Sequence, residues 1–240
     1  MKLLIIRHGD PDYTIDSLTE KGHREAELLS LRMAKTDVSA FYLSPLGRAQ
    51  ATARYTLDRM GREAETLDWL REFSAKVDKP NESNDCAWDW MPKDWTAYPD
   101  FFDRKKWMTH PVMVAGGVPE KYAEVIAGLD ALLSRHGYER EGDYYRAVRA
   151  NRDTVALFCH FGLECVLLSH LLNVSPMILW HGFCAAPTSV TTVYTEERES
   201  GIAYFRTAAF GDVSHLYVAD EPPAFSARFC ETFDSTDERH

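Results

Sequence analysis

The sequence predicts an α/β fold organised around a buried, mostly parallel sheet. Two short apolar runs, Leu3-Leu4-Ile5-Ile6 and Thr154-Val155-Ala156-Leu157-Phe158-Cys159, have the length and partial β-branching of strands covered on both faces. Each ends at a histidine-bearing turn and gives way to a helical pattern, the order expected of βα units. A chain of 240 residues is long enough for one sizeable core, with or without an insertion.

The elements follow in order. After the first strand, Asp10-Pro11-Asp12-Tyr13 reads as a turn-rich loop. A helix then opens near Ser17 or Thr19, either of which can cap it, with Leu18, Ala26, Leu29 and Met33 as its apolar stripe. Phe41-Tyr42-Leu43 is a second strand. It is ended by Ser44-Pro45, read as the N-cap and first residue of a helix that carries Arg48 in its first turn and stops at Gly61. Leu67-Asp68-Trp69-Leu70 reads as a third strand leading into Arg71-Glu72-Phe73.

From Lys76 to Gly117 the periodicity dissolves. Four of the six tryptophans (Trp88, Trp90, Trp95, Trp107) fall here among Pro80, Pro92, Pro99 and Pro111, too aromatic a stretch for a disordered linker. It reads as an insertion of short helices packed over the core. A helix from Val118 to His136 begins with Pro119, turns Val125, Leu129 and Leu132 inward and stops at Gly137. Beyond the strand at 154–159, a helix carries Leu163, Val166, Leu167 and Leu171 and stops near Asn173. Ser189–Tyr194 and Ile202–Phe210 read as closing strands paired through a turn at Glu196–Gly201. The segment 216–240 is a polar C-terminal tail with an acidic end.

Composition narrows the function. At 45% apolar and 27% charged residues, without repeats, the chain is an ordinary globular one. No apolar run approaches the roughly 20 residues of a membrane span, and the opening lacks the length and cleavage site of a signal peptide, so a cytoplasmic protein without membrane partners is expected. A net charge of −10 without a basic stripe argues against a nucleic-acid partner. Cys86, Cys159, Cys165, Cys184 and Cys230 form no CxxC spacing, which argues against a disulfide framework or a zinc cluster. No metal and no cofactor are expected.

Arg7-His8-Gly9 carries the chemistry. It sits at the carboxyl end of a buried strand, where open α/β sheets place their ligands. A neutral imidazole can attack a phosphoryl group, a guanidinium can hold its oxygens, and glycine lets the backbone approach. Arg48, Glu72 and His160 likewise follow strands, so four strand ends present His, Arg, Glu and His toward one sheet edge. His23, His110, His136, His170 and His215 read as structural, while His181 in Trp180-His181-Gly182-Phe183 is left open.

These residues bring the sequence to a family. Arg7-His8-Gly9, Leu18-Thr19-Glu20-Lys21-Gly22 with Glu25-Ala26, Ser44-Pro45-Leu46-Gly47-Arg48-Ala49 with Thr52-Ala53, Glu72 and His160 stand in order and at compatible distances. In this the chain resembles the histidine phosphatase superfamily, also called phosphoglycerate mutase-like. The resemblance implies a single domain over 1–240, a three-layer α/β/α sandwich, with 76–117 as a Trp-rich insertion or lid over the active site. It implies that His8 is phosphorylated, that Arg7, Gly9, Arg48 and His160 form the phosphate pocket, and that Glu72 donates the proton. The partners implied are a small phosphorylated substrate and inorganic phosphate.

Three departures bear on the reaction. Asp10 stands where many relatives offer a hydroxyl or amide to phosphate, and Phe161 stands where many have glycine. The continuation Phe73-Ser74-Ala75-Lys76 lacks the Arg-His-Tyr-Gly that the mutases use. The expected function is therefore a metal-independent phosphatase acting on a small phosphate monoester through phosphohistidine. The alternatives are a phosphoglycerate mutase-type phosphotransferase and an inactive phosphate- or protein-binding member. The tryptophans of 76–117 would stack on a leaving group, form a satellite core, or make a homodimer contact.

Overall fold

The computed structural model describes residues 1–80, 84–226 and 228–235; residues 81–83 of the expected insertion and 227 and 236–240 of the tail lie outside the described residues. Strand β1 (Lys2–Arg7) leads to helix α1 (Glu20–Met33), β2 (Ala40–Leu43), α2 (Gly47–Met60) and the two-residue β3 (Glu65–Thr66). After the aromatic stretch come α3 (Val118–Arg135), a hairpin of β4 (Tyr138–Glu141) and β5 (Tyr144–Ala147), then β6 (Thr154–Cys159) and α4 (Phe161–Leu172). Helix α5 (Pro176–Gly182) and the long hairpin β7 (Val190–Glu199) and β8 (Ile202–Asp212) complete the core.

These eight strands form the central sheet in the order β3-β2-β6-β1-β7-β8-β5-β4, and Pro11–Asp12 pairs with Ser17–Leu18 in a separate two-stranded ribbon. Neighbours from β3 to β1 pair in parallel, and the rest pair antiparallel, so only β7 and β5 run against the others.

The side-chain alternation of the strands sets the layers. Leu4 and Ile6 of β1, Phe41 and Leu43 of β2, and Ala156 and Phe158 of β6 face Leu29 and Met33 of α1 and Ala53 of α2. Leu3, Ile5, Tyr42, Val155, Leu157 and Cys159 face the opposite way, into a larger core with α3, α4 and α5. Helices thus cover both faces, as the α/β/α reading expects. Leu3, Ile5 and Ile6 are fully buried, each contributing about 1.5–3 kcal/mol relative to exposure.

Thr19 caps α1, its hydroxyl accepting from the Gly22 N–H. Ser44 does not cap α2. Its N–H still bonds the Phe158 carbonyl at 2.9 Å, so the sheet runs on past β2 and the helix starts at Gly47. The capping acceptor comes instead from Asp16, whose Oδ2 takes the Gly47 N–H at 2.7 Å.

The expected strand at Leu67–Leu70 is a single 3-10 turn over Asp68–Leu70, and the strand pairing lies just before it at Glu65–Thr66. Trp69 leaves the sheet because its indole lies against Gly128 of α3, where a Cβ would come within 2.5 Å of the ring. The expected β7–β8 hairpin forms, but pairing runs on through Glu199 so that most of the expected turn at Glu196–Gly201 is strand, and β8 continues to Asp212. The stretch 84–117 holds short helical segments, among them Pro92–Trp95 and Pro111–Ala115. Trp90, Phe101 and Trp107 in it are buried in the same core as α3 to α5. Among the described residues no helix is long and apolar enough to cross a membrane.

Candidate active site

The sheet order brings the chemistry together. Strands β2, β6 and β1 are adjacent, so Ser44, His160 and the pair Arg7-His8 emerge side by side at their carboxyl ends. The His8 N–H bonds the Cys159 carbonyl at 3.1 Å, which holds the two strand ends in register. The His8 and His160 rings lie 5.2 Å apart, and both residues are buried.

His8 is fixed in one tautomer. Its Nδ1 lies 2.7 Å from the Gly9 carbonyl, an acceptor, so Nδ1 carries the proton and Nε2 keeps its lone pair. Arg48 Nε donates to that Nε2 at 3.3 Å. Burial, followed by the Arg7 and Arg48 charges, holds the His8 pKa well below the usual imidazole range, so the ring is neutral. Gly9 is required by space: a Cβ would stand 2.7 Å from the Gly22 carbonyl oxygen. Its N–H bonds Thr52 Oγ1 at 2.9 Å, which ties the turn to α2.

Arg7 is buried, its Nη1 donating to the Ala185 carbonyl at 2.6 Å while Nε has no acceptor among the described residues. Arg48, in the first turn of α2, is oriented by Asp16, which accepts from Nη1 at 2.6 Å. His160 shares a 2.7 Å hydrogen bond between Nε2 and the Ser44 hydroxyl, and its buried Nδ1 has no partner among the described residues. Burial, then the charges of the site, push its pKa well below normal as well.

Glu72 reaches the same region from beyond the sheet edge. Its carboxylate sits on the N-terminus of α4, Oε1 accepting from the Leu163 N–H at 2.8 Å and Oε2 from the Gly162 N–H at 3.3 Å. Those amides and the helix dipole favour the charged form, but desolvation outweighs them and the pKa is raised. The approach needs a glycine at 162, since a Cβ there would meet Glu72 Oε1 at 2.7 Å and the Trp88 ring at 2.9 Å.

Asp10 does not stand as a bare anion. Its carboxylate accepts from the Thr19 hydroxyl at 2.7 Å and from the Ser226 hydroxyl, and its N–H bonds Glu25 Oε2 at 3.0 Å. His181 turns away from His8: Nδ1 bonds the Met177 carbonyl and Nε2 accepts from the Trp90 N–H at 3.1 Å, pinning the aromatic stretch to α5.

The structure thus gathers His8, Arg7, Gly9, Arg48, Glu72 and His160 at one end of the sheet. Three contributors escape the sequence reading. Ser44 is disguised as a helix cap. Asp16, at φ +46°, sits in a loop with no spacing signal. Glu164 is buried in the first turn of α4 although its type predicts exposure.

Residues 3–207 match the profile of the histidine phosphatase superfamily, branch 1. This chain belongs to that superfamily. Among curated proteins it is similar to the 2,3-bisphosphoglycerate-dependent phosphoglycerate mutase of Thermoplasma acidophilum, 33% identical over 92 residues covering 34% of this chain and 46% of that one. The same enzyme of Bartonella tribocorum is 37% identical over 71 residues, covering 25% and 34%. The chain therefore spans less than half the length of the curated relatives it matches.

Solved structures share the fold over most of the chain. A mutant phosphoserine phosphatase from Entamoeba histolytica in complex with phosphoserine aligns with TM-score 0.56 at 18% identity, covering 90% of this chain and 98% of that one. A mycobacterial glucosyl-3-phosphoglycerate phosphatase with inorganic phosphate aligns at 0.58 and 18%, covering 89% and 98%.

Proposed function

We propose that this histidine phosphatase superfamily member is a phosphomonoesterase that hydrolyses a small phosphate ester through phospho-His8, without a metal. The observation that supports it most is the His8 ring itself: neutral, its Nδ1 proton held by Gly9, its Nε2 lone pair facing the Arg48 guanidinium. A nucleophile needs an unprotonated lone pair beside cationic donors, and the Arg48 donor that now occupies it can pass to the phosphoryl oxygens.

In the first step Nε2 of His8 bonds to phosphorus as the P–O bond to the leaving group breaks, and the Glu72 proton passes to the departing oxygen. In the second, water attacks phosphorus, its proton goes to Glu72, the N–P bond breaks and inorganic phosphate leaves. The pKa of Glu72, raised by burial, suits a group that must start protonated. Arg7 and Arg48 hold the phosphoryl oxygens as charge spreads over them. His160 offers its unpaired Nδ1 to the same group, and phosphate charge would favour protonating it.

A mutase reading draws on the curated relatives matched over part of the chain. The continuation Phe73-Ser74-Ala75-Lys76 weighs against it. The test is phosphate release from p-nitrophenyl phosphate and a panel of metabolite esters in the presence of EDTA, with wild type and His8→Ala. Release that disappears in the variant supports the proposal. Isomerisation of phosphoglycerate without release, or activity that EDTA abolishes, refutes it.

A further inference from the structure

We infer that Trp88, backed by the buried Phe161, forms the wall against which the leaving group lies, selecting phosphate esters of aromatic or apolar alcohols over esters that carry a carboxylate. The inference rests on the phosphatase reading above and deepens it to a substrate class.

A proton donor locates the leaving group, because its carboxyl must come within hydrogen-bond reach of the departing oxygen. A partly exposed side chain beside Glu72 therefore stands beside the leaving group. Trp88 is that side chain. The missing side chain of Gly162 marks one point on the first turn of α4 that the Glu72 carboxylate approaches to 2.7 Å and the edge of the Trp88 indole to 2.9 Å. Phe161, the neighbouring residue of that turn, packs edge-on against Trp88 with ring centroids 5.9 Å apart. The aromatic surface is thus continuous with the acid.

The indole is held in place rather than loosely laid there. Trp88 Nε1 donates to the Phe73 carbonyl at 3.3 Å, next to Glu72 itself. Its own carbonyl accepts from the buried Lys79 ammonium at 2.7 Å, which also donates to the Asp89 carbonyl at 3.3 Å. Asp89 follows in the left-handed region at φ +59°, so the turn carrying Trp88 is braced from beneath. Trp88 remains only partly buried, leaving ring surface for a ligand.

Charge favours the same class. Glu72 feels Arg48, which belongs to the phosphoryl pocket and is already paired with Asp16. Arg71, adjacent in sequence, is half exposed and paired with Asp68 at 3.7 Å. With those two cations already paired, a carboxylate on the leaving group finds no open partner in them, whereas an aryl ring gains burial and stacking worth about tenfold in affinity or more.

The test compares phenyl phosphate with 3-phosphoglycerate by kcat/KM, and phenylphosphonate with inorganic phosphate by calorimetry, in wild type, Trp88→Ala and Trp88→Phe. Wild type should prefer the aryl ester. That ratio should fall about tenfold in Trp88→Ala and recover in Trp88→Phe, and circular dichroism and melting temperature check that the variants fold. Phenylphosphonate should bind wild type about tenfold tighter than phosphate, an advantage lost with the indole. A wild-type preference for the carboxylate ester, an equal loss on both substrates in Trp88→Ala, or no advantage of phenylphosphonate overturns the inference. Binding needs no turnover, so a phenylphosphonate advantage in a protein without His8-dependent release would refute the phosphatase reading and leave the wall standing.

Discussion

Glu164 turns burial into a measurable pH dependence. Its carboxyl is buried in the first turn of α4, and neither oxygen makes a hydrogen bond of good geometry. Desolvation raises its pKa from 4.5 to about 8, although the Thr191 side chain and the Arg7 charge favour the ionised form. In the unfolded chain the proton leaves near 4.5, whereas the native protein holds it to about 8. Between those values the native state binds more protons, so stability falls as pH rises across that window. At about 1.36 kcal/mol per pH unit, the full interval is worth on the order of 5 kcal/mol. Glu164→Gln keeps the shape and a neutral polar group but cannot ionise. The variant should match wild type near pH 4.5, become steadily more stable than it up to about pH 8, and keep a constant advantage above. Urea unfolding followed by tryptophan fluorescence at half-unit pH steps measures this. Subtracting the two proteins cancels the contributions of Glu25 and Glu72. A difference that stays constant with pH, or grows toward acid, would refute the reasoning.

Glu72→Gln should lower kcat/KM by about 10²–10⁴-fold for alkyl phosphates and much less for p-nitrophenyl phosphate, whose leaving group needs no proton; a uniform loss across leaving groups would contradict the acid role. Gly162→Ala should displace both Glu72 and Trp88, costing about 1–3 kcal/mol of stability by urea unfolding and reproducing the leaving-group dependence of Glu72→Gln. His181 has its pKa lowered by burial from 6.5 to about 4. The unfolded chain therefore takes up that proton first, and stability should drop by about 3 kcal/mol as pH falls from 6.5 through 4. His181→Asn, which keeps an acceptor for the Trp90 N–H, should flatten that limb in acid unfolding curves.

The strands carrying His8 and His160 were legible because both are short apolar runs buried on both faces, which admits few alternatives. Arg48 and Glu72 were legible only as residues following strands. Their convergence depends on β2 and β1 flanking β6, a pairing that joins segments more than 100 residues apart. The Ser-Pro signal at Ser44-Pro45 misled because a strand hydrogen bond from Ser44 outlasts the apolar run, and a distant Asp16 supplies the cap. The same signal at Ser175-Pro176 does start a helix, with the Ser175 hydroxyl accepting from the Met177 N–H. The β4–β5 hairpin is not legible because β4, the edge strand, is mostly charged and each strand has one main buried anchor, Tyr138 and Tyr145. Trp69 was read as a strand residue, yet its packing on Gly128 draws it out of the sheet.

The central claim concerns one atom, His8 Nε2. Rapid acid-free quenching of wild type during turnover of an aryl phosphate, followed by peptide mass spectrometry, should find a single acid-labile, base-stable phosphoryl group on the peptide containing His8 and none in His8→Ala. Phosphate release that continues in His8→Ala, or a phosphoryl group on any other residue, would contradict the account.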